Sequence, residues 1–515
     1  MITVTGRALD LASPETKNSL NEILNRLAAK DDTLWGVEAQ AEASIRLDWI
    51  DLPSRSRELL PELDALTAWA RVRQISTIVL AGMGGSSLAP EVIAKTYNKT
   101  LTVLDTTDPD QIAAAIPEDL EHSLVIVGSK SGSTIETASH KAFFTKIYQD
   151  AGLKPADHFV IVTDPGSPLD KSARADGLRV INADPNVGGR YSALSAFGLV
   201  PAALIGVDVS LLLDDAAAAA QTFTLPNSAP VEIAAAIFDN GEQNLALFDS
   251  ESQLPGISDW IEQLIAESTG KNQTGRLPIV IASGVAAIAG AGLKIGFSAD
   301  AVADLRVVGT LGEQFILWEW VTALLGYSLE VDPFNQPNVT EAKERTGALL
   351  STWNDGKVPH FKASFENDIL AIYGGSSATT IAGQLDDFLA HSSHYIAIMA
   401  YLARGIDDLA PNLRHLIAER SHKGTTFGWG PRFLHSTGQF HKGGQRNGAF
   451  LQITGENQED FNIPHQNFSF HTLLMAQALG DGQALTDRNF PLLRIHLKDR
   501  KSGLVLLMET LVDSR

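Results

Sequence analysis

Residues 76–97, STIVLAGMGGSSLAPEVIAKTY, and residues 123–134, SLVIVGSKSGST, decide the fold. Each passes from a short apolar run into a Gly/Ser turn and then into a helix-length segment. Such runs read as parallel strands buried on both faces. Further runs at 101–104 (LTVL) and 158–162 (HFVIV) continue the alternation. The pattern predicts a doubly wound α/β lobe with its ligands at the carboxyl ends of the strands.

The glycines of AGMGGSSLAP (81–90) let the backbone approach a ligand, and the following helix start offers unpaired N–H groups to an anion. Alone, this is equally a structural turn, and its glycines do not fit the GxGxxG dinucleotide pattern. The loop GSKSGST (128–134) repeats the geometry one strand on. Ser129, Ser131, Ser133 and Thr134 present hydroxyls suited to phosphate oxygens, and Lys130 adds charge. Any one of these hydroxyls is also an ordinary helix N-cap; the cluster is harder to explain that way.

Outward from these loops, apolar residues at helical spacing over 15–75 predict a helical lead-in. After the alanines of 215–220, a second series reads helix 230–239, strand 244–248, helix 257–267, strand 278–282, helix 284–295 and helix 312–326. Apolar strands follow near 395–401, 449–453 and 492–496. The expected division is a lead-in (1–75), a first lobe (76–225), a second lobe (226–345) and an α/β extension packed on the second lobe (346–515).

The chain has 515 residues, 44% hydrophobic and 20% charged, in the range of ordinary globular proteins. Its 40 Lys+Arg against 61 Asp+Glu leave a net charge of −21, which disfavours general binding to nucleic acid or an anionic membrane. A phosphorylated ligand therefore needs cations gathered at one place. With no cysteine, thiolate chemistry and disulfides are excluded. No apolar run is long enough to span a bilayer, and the N-terminus lacks a signal pattern; the expectation is a cytoplasmic protein.

Other motifs carry ionisable groups. In GGRYS (188–192), Arg190 between glycines and an apolar helix has the freedom to point inward and meet an oxyanion, although a helix-start salt bridge is the simpler reading for one arginine. In SDWIEQLIAESTGK (258–271), Gln263 and Glu267 lie one helical turn apart on one face. Glu267 near the helix end opposes the helix dipole, a cost that a site would explain, with Lys271 as a candidate offsetting charge. Glu262 falls on another face and reads as a solvated helix charge. Lys343, two turns into the helix opened by DPFNQPNVTEAK (332–343), reads by itself as a surface lysine. His435 sits in RFLHSTGQFHKGG (432–444). The pairs His391/His394 and His435/His441 lack a third ligand at convincing spacing, so metal binding is not expected.

Taken together, these motifs resemble the glucose-6-phosphate isomerase family, built from two sugar-isomerase (SIS) lobes, and most closely the isomerase half of fused transaldolase/glucose-6-phosphate isomerases. GMGGSSLAP and SKSGST resemble its phosphate-side loops, GGRYSALSAFGL its arginine signature, QLIAESTGK its glutamine-glutamate signature, FNQPNVTEAK its lysine motif and LHSTGQ its histidine motif. The resemblance implies two doubly wound SIS lobes and reversible isomerisation of glucose 6-phosphate and fructose 6-phosphate. It implies Gly85, Ser86, Ser129, Lys130, Ser131, Ser133 and Thr134 at the phosphate, and Gln263 as a substrate contact. Glu267 is then the base, Arg190 the enediolate stabiliser, and His435 with Lys343 the ring-opening pair.

No metal or redox cofactor is implied, and a homodimer is expected. Lys343 precedes His435 here, whereas the family's histidine motif usually comes first, and residues 284–312 contain no histidine. The motifs already use the chain's length, so no transaldolase activity is expected. The alternatives are another SIS phosphosugar isomerase, a non-catalytic sugar-phosphate sensor and, on the 82–85 glycines alone, a nicotinamide dehydrogenase.

Overall fold

The computed structural model describes residues 1–513 except Glu251, 282–289, Ala291, 354–356 and 392–393. The strand β1 (Thr3–Thr5) opens the chain. Then β2 (Thr77–Gly82), β3 (Thr102–Leu104), β4 (Ser123–Gly128), β5 (Phe159–Thr163) and β6 (Arg179–Asn182) form one sheet in the order β3-β2-β4-β5-β6. All its pairings are parallel. Every residue of β4 and all but the first of β2 are buried, because helices cover both faces of a parallel sheet. The strand order reverses between β2 and β4. That is where a doubly wound sheet leaves a crevice, and the loops at its two walls are the Gly/Ser turns.

A second sheet contains β7 (Asn244–Phe248), β8 (Leu277–Val280), β9 (Leu293–Gly296) and β10 (Leu305–Val308) in the order β1-β10-β9-β7-β8. It is parallel except for β1, which returns from the N-terminus to pair antiparallel with β10. The expected helix over 284–295 differs: its last residues belong to β9, and residues 284–289 and 291 lie outside the described residues. The helix Leu311–Ser328 is buried along most of its length, with the helices Val209–Ala220 and Ala229–Asp239 packed on it.

The C-terminal region builds a sheet of its own. It contains β11 (Phe365–Glu366), β12 (Leu370–Tyr373), β13 (Tyr395–Tyr401), β14 (Gly424–Trp429), β15 (Gly448–Gly455) and β16 (Leu492–Leu497), ordered β11-β12-β16-β15-β13-β14. Besides packing on the second sheet, this region binds the first. Arg404 and Arg432 both pair with Glu91 and Asp105, and Arg500 pairs with Asp108 at 2.7 Å. Towards the second sheet, Tyr395, Phe433 and Phe440 share an apolar cluster with Ala266 and Leu277. Wedged against both lobes, the C-terminal unit can deliver a side chain to the crevice between them. No helix among the described residues is long and apolar enough to cross a membrane.

Candidate active site

The crevice at the β2/β4 reversal opens into a cavity of 310 Å³. One wall is the loop after β2. Gly84 adopts φ +55°, and a Cβ on Gly85 would lie 1.9 Å from the Gly189 carbonyl oxygen. Only glycine at 85 lets this loop meet the loop that carries Arg190. Ser86 is buried beside them.

The second wall is the loop after β4, at the start of the helix Ile135–Asp150. Ser129 Oγ donates to Thr134 Oγ1 at 3.2 Å, and the Ser131 and Ser133 hydroxyls lie 3.0 Å apart. Gly85, Ser86, Ser129, Lys130, Ser131 and Thr134 all line the cavity; Ser133 faces an adjoining 190 Å³ chamber instead. Hydroxyls beside a helix N-terminus make an anion cradle. Lys130 lines the cavity with its ammonium bonded within this chain. Its ammonium donates to Asp164 Oδ2 at 2.6 Å, the Pro185 carbonyl at 3.0 Å and the Asp184 carbonyl at 3.4 Å.

The third wall is the helix Ile257–Thr269, whose start is capped by Asp249 Oδ2 accepting from the Gly256 and Ser258 amides. Glu267 is buried near the other end, with Oε1 3.3 Å from Arg190 Nη1. Gln263 Nε2 donates to Glu267 Oε2 at 3.2 Å and to the His435 carbonyl at 2.8 Å. Gln263 Oε1 is buried with no hydrogen-bond partner among the described residues.

Arg190 donates through Nε to Ser268 Oγ, through Nη1 to Gln336 Oε1, and through Nη2 to the carbonyls of Pro333 and Asn335. Arg190, rather than Lys271, is thus the charge that offsets Glu267. Lys271 donates instead to the Asp332 carbonyl, and burial, reinforced by the Arg190 charge, holds its pKa well below the usual lysine range. Glu262 departs from its reading as a solvated charge: it is only partly exposed, and burial together with Asp259 pushes its carboxyl well above the ordinary value despite the opposing charge of Arg432.

The C-terminal unit closes the cavity. His435 lines it from a short 3-10 turn, with Nε2 3.1 Å from Glu136 Oε1. Gln477 Nε2 donates to the same oxygen at 2.7 Å. Burial alone would raise the Glu136 carboxyl; the hydrogen bond and charge of His435, with Lys343 beyond, reverse this and bring it down to about 2. Lys343 lies on the helix Pro337–Thr352 and lines both the cavity and the adjoining chamber. Gln439 ties these pieces together. It accepts from the Asn338 amide at 3.0 Å and donates to the Gly270 carbonyl at 3.0 Å, fixing the start of the Lys343 helix to the end of the Glu267 helix.

Sequence reasoning missed Arg46, Asp164, Gln336 and Glu136. Glu136 in a first helical turn satisfies the helix dipole and signals nothing more; Gln336 sits inside the lysine motif but is uncharged, and Arg46 and Asp164 come from segments with no motif of their own.

Two largely parallel sheets, a hydroxyl cradle at the strand-order reversal and a buried carboxylate–guanidinium pair define an α/β protein whose cavity is suited to an anion. Residues 56–289 match the model of the Phosphoglucose isomerase family. A glucose-6-phosphate isomerase of Thermosynechococcus vestitus is 36% identical over 210 residues, 38% of this chain and 40% of that protein. One from Thermus thermophilus is 32% identical over 265 residues, 49% of this chain and 60% of that protein. The matches thus span less than two thirds of these relatives. In fold, the chain resembles the crystal structure of a glucose-6-phosphate isomerase from Chlamydia trachomatis, with a TM-score of 0.55 and 21% identity over 69% of this chain and 90% of that one.

Proposed function

We propose that the protein interconverts glucose 6-phosphate and fructose 6-phosphate. The observation that carries this reading is the buried Glu267–Arg190 pair on the wall of a cavity that also holds the hydroxyl cradle. Ser86, Ser129, Ser131 and Thr134 hold the phosphate, which places the other end of the sugar towards Glu267. His435, oriented by Glu136, and Lys343 open the ring, and the C1 aldehyde follows. Glu267 removes the C2 proton and returns it to C1 through a cis-enediolate. Arg190 Nη1, between Glu267 and Gln336, sets a fixed positive charge where the enediolate's negative charge develops.

Only protons move, so the reaction calls for no metal or redox cofactor. The relatives' names support the substrate, and the reading includes a cytoplasmic homodimer. Incubating the protein with fructose 6-phosphate and reading glucose 6-phosphate through a coupled dehydrogenase tests it. Steady turnover is expected, and absence of product at substrate saturation contradicts the reading.

A further inference from the structure

The cradle contains hydroxyls and a helix start, but its one lysine is already engaged. All three protons of the Lys130 ammonium have acceptors on this chain, the nearest being the Asp164 carboxylate. A phosphate dianion entering a protein of net charge −21 therefore meets a Lys130 charge that Asp164 has largely neutralised. A second cation stands at the same place. Arg46 lines the cavity with Ser86, Ser129 and Ser131, and it also lines a 300 Å³ chamber that shares Lys130, Gly189 and Arg190 with it.

The backbone pins this arginine in position. Leu47 forms a β-bridge with Val187, which sets residue 46 beside the loop leading to Gly188 and Gly189. Arg46 Nε donates to Glu42 at 3.1 Å and Nη1 to the Pro185 carbonyl at 3.0 Å, the carbonyl that also accepts from Lys130. Its Nη2 has no hydrogen-bond partner among the described residues. The charge reaches the pair beside it. Burial is the main force lowering the Lys130 pKa, and Arg46 adds to it; Asp164, raised by burial, is drawn back by Lys130 and Arg46. Arg46 also lies outside the segment 56–289 matched by the family model.

Resting on the isomerase reading above, we infer that Arg46 is a phosphate-binding residue of this site, supplying from the N-terminal segment a cation with an open N–H edge, which Lys130 lacks. A guanidinium with one open N–H edge suits a phosphate oxygen, and a charge-assisted bond of this kind is among the stronger polar contacts. Lys130 is then the residue that fixes the loop, and Arg46 the one that reads the anion.

The test is calorimetric titration with inorganic phosphate of the full chain and of Arg46→Gln and Arg46→Lys, each first checked for an unchanged thermal midpoint. Glutamine keeps a donor for the Pro185 carbonyl but no charge, so a purely structural role would be rescued by it. Phosphate affinity is expected to fall about tenfold or more in Arg46→Gln and to recover in part in Arg46→Lys. Wild-type affinity in Arg46→Gln, or equal losses in both variants, overturns the inference while leaving the isomerase reading intact. A wild-type chain that neither binds phosphate nor converts fructose 6-phosphate overturns both.

Discussion

His435 Nε2 lies 3.1 Å from Glu136 Oε1, joining a histidine of the C-terminal unit to a carboxylate in the first turn of the helix that follows the hydroxyl cradle. A carboxylate can only accept, so Nε2 donates this bond and Nδ1 is the ring nitrogen not committed to Glu136. Glu136→Gln keeps the shape but not the charge, so the ring loses its fixed tautomer. Turnover with the ring-closed sugar is expected to fall about 10²-fold, within the range of general acid–base contributions. Unchanged kcat in steady-state assays would remove Glu136 from the account.

Arg190 and Glu267 form a buried pair, and removing one partner leaves the other charge stranded. Arg190→Met is expected to destabilise the fold by about 3 kcal/mol, read from denaturant midpoints. Arg190→Lys is expected to remain substantially destabilised, because a single ammonium cannot reproduce bonds to Ser268, Gln336, Pro333 and Asn335 at once. Full stability in the lysine variant contradicts this.

Two histidines away from the proposed chemistry set a pH dependence. Burial lowers His140 to about 4, and burial with the neighbouring Lys442 lowers His441 to about 3. Both are neutral in the fold at pH 6, and both take a proton on unfolding once the pH is below about 6.5. Stability rises with pH wherever the unfolded state binds more protons. It is therefore expected to fall as the pH drops from about 6.5 towards 4, with about two protons taken up on unfolding from these sites. Denaturant midpoints across this window, with His441→Asn removing about one proton from the slope, check the claim; an unaltered slope rejects it.

Glu267, Arg190, Lys343 and His435 of one chain line one cavity. Each chain of a homodimer then carries a whole site. Mixing inactive Glu267→Gln with inactive His435→Ala under subunit exchange is expected to restore no activity. Recovery of about a quarter of wild-type activity per chain, the share of complemented sites expected from random pairing, would place His435 across an interface.

Much of this was legible in the sequence, and the physical reasons differ between elements. β2, β4, β5 and β13 are apolar over most of their length because both faces are covered, so each announced itself. β10 (LRVV) alternates buried and half-exposed residues over four positions, β14 (GTTFGW) is rich in Gly and Thr, and β1 is three residues at an edge; none carries enough periodicity to be read. Within the site, the cradle and the Gln263/Glu267 spacing were visible because they are local. The Lys130–Asp164 pair, the Gln439 tie and Arg46 were not, because each depends on residues far apart in sequence that only the folded chain brings together.

The central claim is that the Glu267 carboxylate carries a proton between C2 and C1 of a phosphosugar. The most direct measurement is deuterium incorporation into glucose 6-phosphate formed from fructose 6-phosphate in D2O, followed by NMR for wild type and Glu267→Gln at matched folded concentration. Wild type is expected to place deuterium at C2, with exchange and isomerisation both lost by about 10³-fold or more in the variant. Exchange at C2 that survives in Glu267→Gln at the wild-type rate would contradict the account.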